Sequence, residues 1–411
     1  MARTRNGRRI ALVTMDVRLA DEPKGLDRTA YIASTLAQAG YEVDLITSSF
    51  QHWEKAQRDT ADQRYRSLPF RVVFIDAPSY KKNLDVARVR NHALVAKQVA
   101  VYLDAHPDYD LVLAKIPPND LARVCGEFCR AHGIPFVVDV NDLWPEAMRM
   151  VLDVPVVSDV LFRPFLRDAE ATYRLADAAI GTSDEYALRP QKRNGREIPH
   201  ITVYVGNDVA AFDAEACAHA SAVHKPEGAF WVTYAGTIGK SYDIRTLVEA
   251  AGDIARAGHD DVQFMVLGGG PEKDRMEELA RATAAPVTFP GYLPHAEMAA
   301  YLAASDVLVN SFVKRAPQCI VSKIGDYLAA GKPMVNTLDN AEFCAKVDRD
   351  GFGVNVAPEA PAELAGAILA LKDDPHARER MGAAARAVAE SQFDRPRAYR
   401  RIVDLVDKLL A

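Results

Sequence analysis

Two doubly wound α/β domains are the architecture this sequence predicts, on three observations. Short Val/Ile-rich runs without period-two alternation recur along the chain, as parallel strands covered on both faces require. Amphipathic segments at helical spacing lie between them, and strand–helix alternation with long crossovers makes a doubly wound sheet. The alternation pauses once, over 207–228, an Ala/Asp/His-rich stretch with Pro226 and Gly228 before the next strand, which splits the chain into two sheets of similar size.

In the first half, strands are expected at Ile10–Met15, Val43–Thr47, Val72–Asp76, Leu111–Ala114, Phe136–Val140, Ala178–Gly181 and Ile201–Val205. In the second they are expected at Trp231–Ala235, Gln263–Leu267, Val287–Phe289, Val307–Asn310, Met334–Thr337 and Gly353–Val356. Asp243–Ala257 shows the helical signal, with Ile244, Leu247, Val248, Ala251 and Ile254 on one face and Asp243 as N-cap. Phe393–Ala411 reads as a helix after Pro396, with Ile402, Val403, Leu405, Val406, Leu409 and Leu410 on its apolar face. The domain boundaries expected are 1–208, a connection over 209–228, 229–392, and a terminal helix over 393–411.

Composition excludes several classes. The 411 residues are 49% hydrophobic and 26% charged, the balance of a globular protein. Lys plus Arg is 50 against 56 Asp plus Glu, a net charge of −6, so a chain-wide basic field for nucleic acid is absent. No apolar run approaches the roughly 18 residues of a membrane span, and Ile10–Met15 is too short for a signal-peptide core. Five Cys, an odd number, argue against a disulfide scaffold and fit a reducing cytoplasm. Cys125 and Cys129 lie one helical turn apart without a His at zinc spacing, and read as helix residues. Asp108-Tyr109-Asp110 follows Pro107 and precedes a strand, and reads as a turn rather than a metal motif.

The densest chemical signal is VLVNSFVKRAPQCIVSKIGDYLAAGKPMVNT, residues 307–337. A strand ending near Asn310 leads through a loop to a helix starting near Ser322 and ending at Gly331, a C′ glycine, with Pro333 beyond. A helix start after a loop presents unpaired N–H groups and a positive dipole end to an anion. Lys323 adds a cation there, and Lys314 and Arg315 lie in the approach loop, so the segment suits a diphosphate; an ordinary helix capped by Ser322 is the other reading. Gly268-Gly269-Gly270 follows a strand and precedes Pro271, a plausible N1 residue, but lacks the GxGxxG form and its downstream acid.

These segments, in this order, resemble the retaining GT-B glycosyltransferases, in particular family 4 (group 1). The matching stretches are KGLDRTAYIASTLAQAGYEVDLIT, DVNDLWPEAM, AIGTSDEY and VGNDVAAF in the first half. In the second they are YAGTIGKSYDIRTLVEA, VLGGGPEKDRMEEL, FPGYLPHAEMAAYLAASDVLVNS and SKIGDYLAAGKP. DLWPE and SKIGDYLAAGKP look closest to bacterial enzymes that build capsule, exopolysaccharide or O-antigen repeats on a lipid carrier. The resemblance implies an α/β GT-B fold: two Rossmann-like domains facing a central cleft, an acceptor domain first, a nucleotide-sugar domain second, and a C-terminal helix returning to the first.

The resemblance also implies residue roles. Asp326 would hold the ribose hydroxyls, since a carboxylate accepts two hydrogen bonds from a diol. Gln318 stands where the family has an acid that touches the transferred sugar. In the loop after the first strand of the second domain, Gly236, Thr237, Gly239 and Lys240 would meet the diphosphate, with Lys323 and the Ser322 backbone; Thr237 replaces the family's Arg, and Tyr242 its strict Lys position. Gly268 would lie beside the nucleotide, and Gly291 and Tyr292 beside the base, where Tyr292 packing in the core is the other reading. Gly25 would face the donor phosphate and the acceptor, and Arg28 an acceptor phosphate or solvent. Asp142 would orient a sugar hydroxyl or assist the acceptor, or cap the helix begun by Pro145; Glu146 is a weaker candidate.

The reaction implied moves a sugar, UDP-linked by preference, from a nucleoside diphosphate to a saccharide or polyprenyl-diphosphate-linked saccharide, with retention. It uses no cofactor beyond the sugar nucleotide and no metal, with cations and a helix start stabilising the leaving group. A sugar-nucleotide 2-epimerase, a phosphorylase needing a pyridoxal-phosphate lysine, and a non-catalytic sugar-nucleotide-binding protein share the plan. The arginines Arg3, Arg5, Arg8, Arg9, Arg395, Arg397, Arg400 and Arg401 are either a solvated face or, with such an acceptor, a contact with anionic lipid at the inner face of the cytoplasmic membrane.

Overall fold

The computed structural model describes residues 5, 7–19, 22, 27–82, 85–146, 157–314, 316 and 320–411. The chain divides into two compact units, Met1–Val203 with Tyr399–Ala411, and Tyr204–Ala398.

The first unit is built on β1 (Arg9–Val13), β2 (Glu42–Ser48), β5 (Arg71–Ile75), β6 (Leu111–Ile116), β7 (Phe136–Val140), β8 (Ala178–Gly181) and β9 (His200–Thr202), in the parallel order β5-β2-β1-β6-β7-β8-β9. Two two-residue strands that the sequence does not signal, β3 (Phe50–Gln51) and β4 (Ala56–Gln57), form a small antiparallel hairpin after β2. β1 is central, its Ile10, Ala11, Leu12 and Val13 without solvent exposure, and Ile10 pairs with Val43 on one side and Leu111 on the other. That burial on both faces is why the strands read as unbroken apolar runs. Asp110 accepts from the Arg9 amide at 2.8 Å, and Asp108 pairs with the Arg9 guanidinium, so the Asp-Tyr-Asp turn ties β6 to β1. Cys125 and Cys129 are buried on the helix Asn119–His132, and burial pushes both thiols up.

The helix Arg400–Leu410 belongs to this unit. It buries Ile402, Val403, Leu405 and Val406, and its Asp407 accepts from Tyr41 Oη at 2.5 Å and from Arg5 Nε at 2.8 Å. The arginines read as a membrane-facing cluster are in part committed within the chain: Arg8 donates to the Leu410 carbonyl and Arg401 to the Thr202 carbonyl. No helix among the described residues is long and apolar enough to cross a membrane.

The second unit opens with the helix Val209–His219, within the stretch that reads as a connection. Its sheet comprises β10 (Phe230–Ala235), β11 (Val262–Leu267), β12 (Val287–Gly291), β13 (Val307–Asn310), β14 (Met334–Asn336) and β15 (Gly353–Asn355), in the parallel order β12-β11-β10-β13-β14-β15. Both sheets therefore reverse direction beside their first strand, and in such sheets ligands lie outside the strand carboxyl ends at that reversal. The core of this unit packs Val232, Leu247, Ile254, Phe264, Val309 and Ile368 together. Asp243 caps the helix Ile244–Arg256, accepting from the Thr246 amide at 3.1 Å, as its position in the sequence predicts.

Candidate functional site

At the carboxyl end of β10 the chain turns into a loop built on glycine. Gly236 has φ +152°, and its amide donates to the Leu267 carbonyl at 2.9 Å. Gly268, after β11, has φ +140°, and a Cβ there would lie 1.9 Å from the Gly236 oxygen. A Cβ on Gly270 would lie 2.3 Å from the Ile238 oxygen. The Ile238 amide donates to the Gly269 carbonyl at 2.9 Å, and the Gly268 amide to the Gly291 carbonyl at 2.8 Å. The triple glycine thus serves backbone-to-backbone packing of two loops at the sheet edge. Gly291 has φ +88° with open space where its Cβ would be, and the Tyr292 ring is 68% exposed, which settles that tyrosine outside the core. Gly239 is buried, yet a Cβ there would meet only Thr237 Cγ2, at 3.6 Å. Thr237 and Lys240 are exposed. Gly239, Lys240 and Tyr242 line a hollow of about 510 Å³ with Arg275 and Val313.

Lys323 enters this loop from the start of the helix Lys323–Ala329. Its Nζ is shielded from solvent and has no hydrogen-bond partner. It sits 4.3 Å from the Tyr234 ring centroid, 4.9 Å from those of Tyr242 and Phe312, and 5.8 Å from that of Tyr327. Ring faces attract a cation, but burial disfavours the charge and brings the ammonium down to about 7. A Cβ on Gly236 would lie 3.6 Å from Lys323 Cδ, so the amine and the glycine loop are neighbours. Tyr327 fixes the cage: its Oη accepts from the Ala235 amide at 2.7 Å, at the last residue of β10. Ser322 does not cap this helix; it has helical φ/ψ (−58°, −36°), no side-chain cap bond and an exposed side chain. Gly331, with φ +63°, does sit just past the helix end.

Asp326 lies one turn on. Its Oδ1 accepts from Asn207 Nδ2 at 2.9 Å and bonds His295 Nε2 at 3.1 Å, while His295 Nδ1 bonds Glu215 Oε2 at 2.6 Å. Both bonds fall on Oδ1, leaving Oδ2 outside the pair. Asp326 first, and then Glu215, hold the imidazolium and raise it to about 9. The carboxylate read from the sequence as a ribose ligand is therefore already oriented by a chain of side chains from three separate elements. Glu215 lies outside every matching stretch, and His295 lies inside FPGYLPHAEMAAYLAASDVLVNS without a role read for it; only the helix starting at His295 signals that its side chain stands near a loop.

The structure does not gather all the expected residues. Gly25 and Gln318 lie outside the described residues. Asp142 belongs to the first unit, just past β7; its Oδ1 accepts from the adjacent Leu143 amide at 2.8 Å, and burial raises its carboxyl. Arg28 is neither at the surface nor free for a phosphate. It is 5% exposed, pairs with Asp139 at 2.8 Å and donates to the Val203 carbonyl at 2.7 Å. Asn141 Nδ2 also donates to Asp139, at 2.8 Å, so this cluster anchors β7 to the helix Arg28–Gln38. Glu146 pairs with Arg189 and Arg193.

Residues 229–374 match the profile of the family described as Glycosyl transferases group 1. Alpha-D-kanosaminyltransferase of Streptomyces kanamyceticus is 24% identical over 77% of this chain and 89% of its own length. Sucrose-phosphate synthase of Thermosynechococcus elongatus superposes with a TM-score of 0.72 at 20% identity, over 98% of this chain and 99% of that one. HepE of Anabaena, solved in complex with UDP, superposes with a TM-score of 0.69 at 16% identity, over 98% of this chain and all of the other. The fold is the GT-B fold of such enzymes, with two Rossmann-like parallel-sheet domains.

Proposed function

We propose that this chain, a glycosyltransferase with a group 1 domain over residues 229–374, moves a sugar from a nucleoside diphosphate, UDP by preference, to a hydroxyl of a saccharide or lipid-linked saccharide acceptor with retention of configuration. One observation carries the reading: the Lys323 amine stands without a hydrogen-bond partner beside the Gly236 loop, in a chain whose fold superposes on a protein solved with UDP. A diphosphate against that loop would supply the missing partner.

In this reading the donor occupies the second unit. Lys323 and Lys240, with the amides of the 236–240 loop, neutralise the diphosphate. Asp326, steadied by His295 and Asn207, accepts from the ribose diol through Oδ2. The base lies against Gly291 and Tyr292. The bond from the anomeric carbon to the phosphate oxygen breaks, its electron pair leaving with the diphosphate, while the acceptor oxygen attacks the same face and its proton passes to the leaving phosphate. Stabilising that departing charge by preorganised cations is worth roughly 10²- to 10³-fold per group. A role in surface polysaccharide synthesis rests on the DLWPE and SKIGDYLAAGKP wording of the sequence.

The test is release of nucleoside diphosphate from a panel of sugar nucleotides, with acceptor and EDTA present. Turnover under EDTA supports the cation-based mechanism, and complete metal dependence refutes it. Epimerisation of donor alone, without transfer, would put the sugar-nucleotide epimerase reading in its place.

A further inference from the structure

Beside Asp326 stands an acceptor that the reading above leaves unused. Asn207 is 7% exposed, and its Oδ1 is buried without a hydrogen-bond partner. Its backbone is held on both sides: the Asn207 amide donates to the Phe393 carbonyl at 3.1 Å, and the Asn207 carbonyl accepts from the Arg395 amide at 2.8 Å. The preceding Gly206 has φ +57°, and a Cβ there would lie 2.0 Å from the Phe393 oxygen. On the helix Lys323–Ala329, a Cβ on Gly325 would lie 3.0 Å from the Gly206 carbonyl carbon and 3.2 Å from the Asn207 nitrogen. Two glycines therefore let the turn and the helix meet closely, and Asp326, the next residue of the helix, comes against Asn207.

The contact between the two side chains fixes which way the amide points. Asn207 Nδ2 donates to Asp326 Oδ1 at 2.9 Å. The reverse placement would set an amide oxygen against a carboxylate oxygen, so the atom left over is Oδ1, which can only accept. His295 cannot serve it: as the imidazolium it commits Nε2 to Asp326 Oδ1 at 3.1 Å and Nδ1 to Glu215 Oε2 at 2.6 Å. A carboxylate with both oxygens open could hold a diol alone. Here Oδ1 is taken up by Asn207 and His295, and Oδ2 remains. Asn207 Oδ1 and Asp326 Oδ2 are thus the outer atoms of one hydrogen-bonded pair of planar groups.

This pair selects its ligand by chemistry. A phosphate offers oxygens, which both atoms repel. A cation is opposed by the imidazolium already seated on the same carboxylate. Neighbouring hydroxyls fit, each bringing one O–H to a different acceptor.

We infer that Asn207 is a specificity-determining residue for the donor: its Oδ1 accepts from one hydroxyl of the ribose diol while Asp326 Oδ2 accepts from the other, so the site reads both hydroxyls and selects ribonucleotide over deoxyribonucleotide donors. This rests on the donor reading proposed above and adds to it a residue from VGNDVAAF, a stretch without an assigned role.

Calorimetric titration of the full chain with UDP, 2′-deoxy-UDP and 3′-deoxy-UDP tests it. Each deoxynucleotide should bind the wild type about tenfold more weakly than UDP or worse, because each leaves one acceptor without its donor. In Asn207→Ala, the penalty for one of the two should fall to within about twofold while the other persists, which names the hydroxyl that Asn207 holds. If Asn207 only steadied Asp326, the variant would weaken all three nucleotides by one factor and leave both penalties unchanged, and that result overturns the inference. Should the variant fail to fold, the wild type decides alone: both penalties present support the inference, and equal affinity for UDP and either deoxynucleotide overturns it while the donor reading stands. Absence of binding by UDP, GDP and ADP alike removes the donor reading itself, and the inference with it.

Discussion

Binding of a nucleoside diphosphate should draw a proton onto Lys323. The amine is held near 7 by burial among four aromatic rings. Paired with a diphosphate it returns toward or above the ordinary lysine value of about 10.4. At pH 8 only about a tenth of the free protein carries the ammonium, so binding takes up about 0.9 proton; at pH 7 the uptake is about 0.5, and at pH 6 about 0.1. Because binding requires the charged form, Kd should rise about fivefold between pH 7 and 8 from this group alone. The free phosphate, with its second pKa near 6, contributes little above pH 7.5. Calorimetric titration of UDP in buffers of contrasting ionisation enthalpy reads the proton count as the slope of observed enthalpy. Lys323→Met keeps the cage filled and should bring the slope at pH 8 to near zero while weakening binding tenfold or more. A wild-type slope near zero at pH 8, or the same slope in Lys323→Met, would refute the assignment of the amine to the phosphates.

Three further outcomes follow from the geometry. Gly268→Ala should destabilise the fold by about 2 kcal/mol or more in urea, since its Cβ has no room beside the Gly236 oxygen, whereas Gly239→Ala should fold normally and lose nucleotide affinity in a thermal-shift titration. Arg28→Ala should cost about 3–5 kcal/mol in chemical denaturation, because it leaves the Asp139 carboxylate buried and unpaired; a loss of activity at unchanged stability would return Arg28 to a binding role. His295 is raised by its two carboxylates, so its stabilising contribution is full below its unfolded value near 6.5 and is lost as pH rises through about 9. His295→Gln should flatten the urea midpoint between pH 6.5 and 9.5, and a slope equal to wild type would show that the pairing does not hold in solution.

The fold was legible because the inner strands of the two large sheets are buried on both faces and appear as apolar runs; Phe136–Val140, Ala178–Gly181 and Val307–Asn310 match residue for residue. The β3–β4 hairpin escaped because two-residue strands carry no period. For the candidate site, the Gly236 loop and the Lys323 helix were legible as local chain: a strand, a glycine turn, a helix start. What surrounds them was not. Tyr234 reads as part of a strand and Tyr242 as a loop residue in place of a Lys, Phe312 and Tyr327 carry no signal of their own, and only folding turns the four into a cage around one amine. The Glu215–His295–Asp326 chain joins residues 80 and 31 positions apart, and the Arg28–Asp139 pair spans 111. Such contacts leave no spacing in the sequence, which is why Arg28 reads as a phosphate or surface residue when it is a buried anchor. Ser322 failed as a cap because its backbone already continues the helical turn.

Hydrogen–deuterium exchange of the full chain with and without UDP tests the donor site most directly. Protection is expected at residues 235–241, 268–272, 291–295 and 322–327, with no change at the Trp53 hairpin. Protection absent from those four segments, or confined to the first unit, would contradict a diphosphate seated at Lys323.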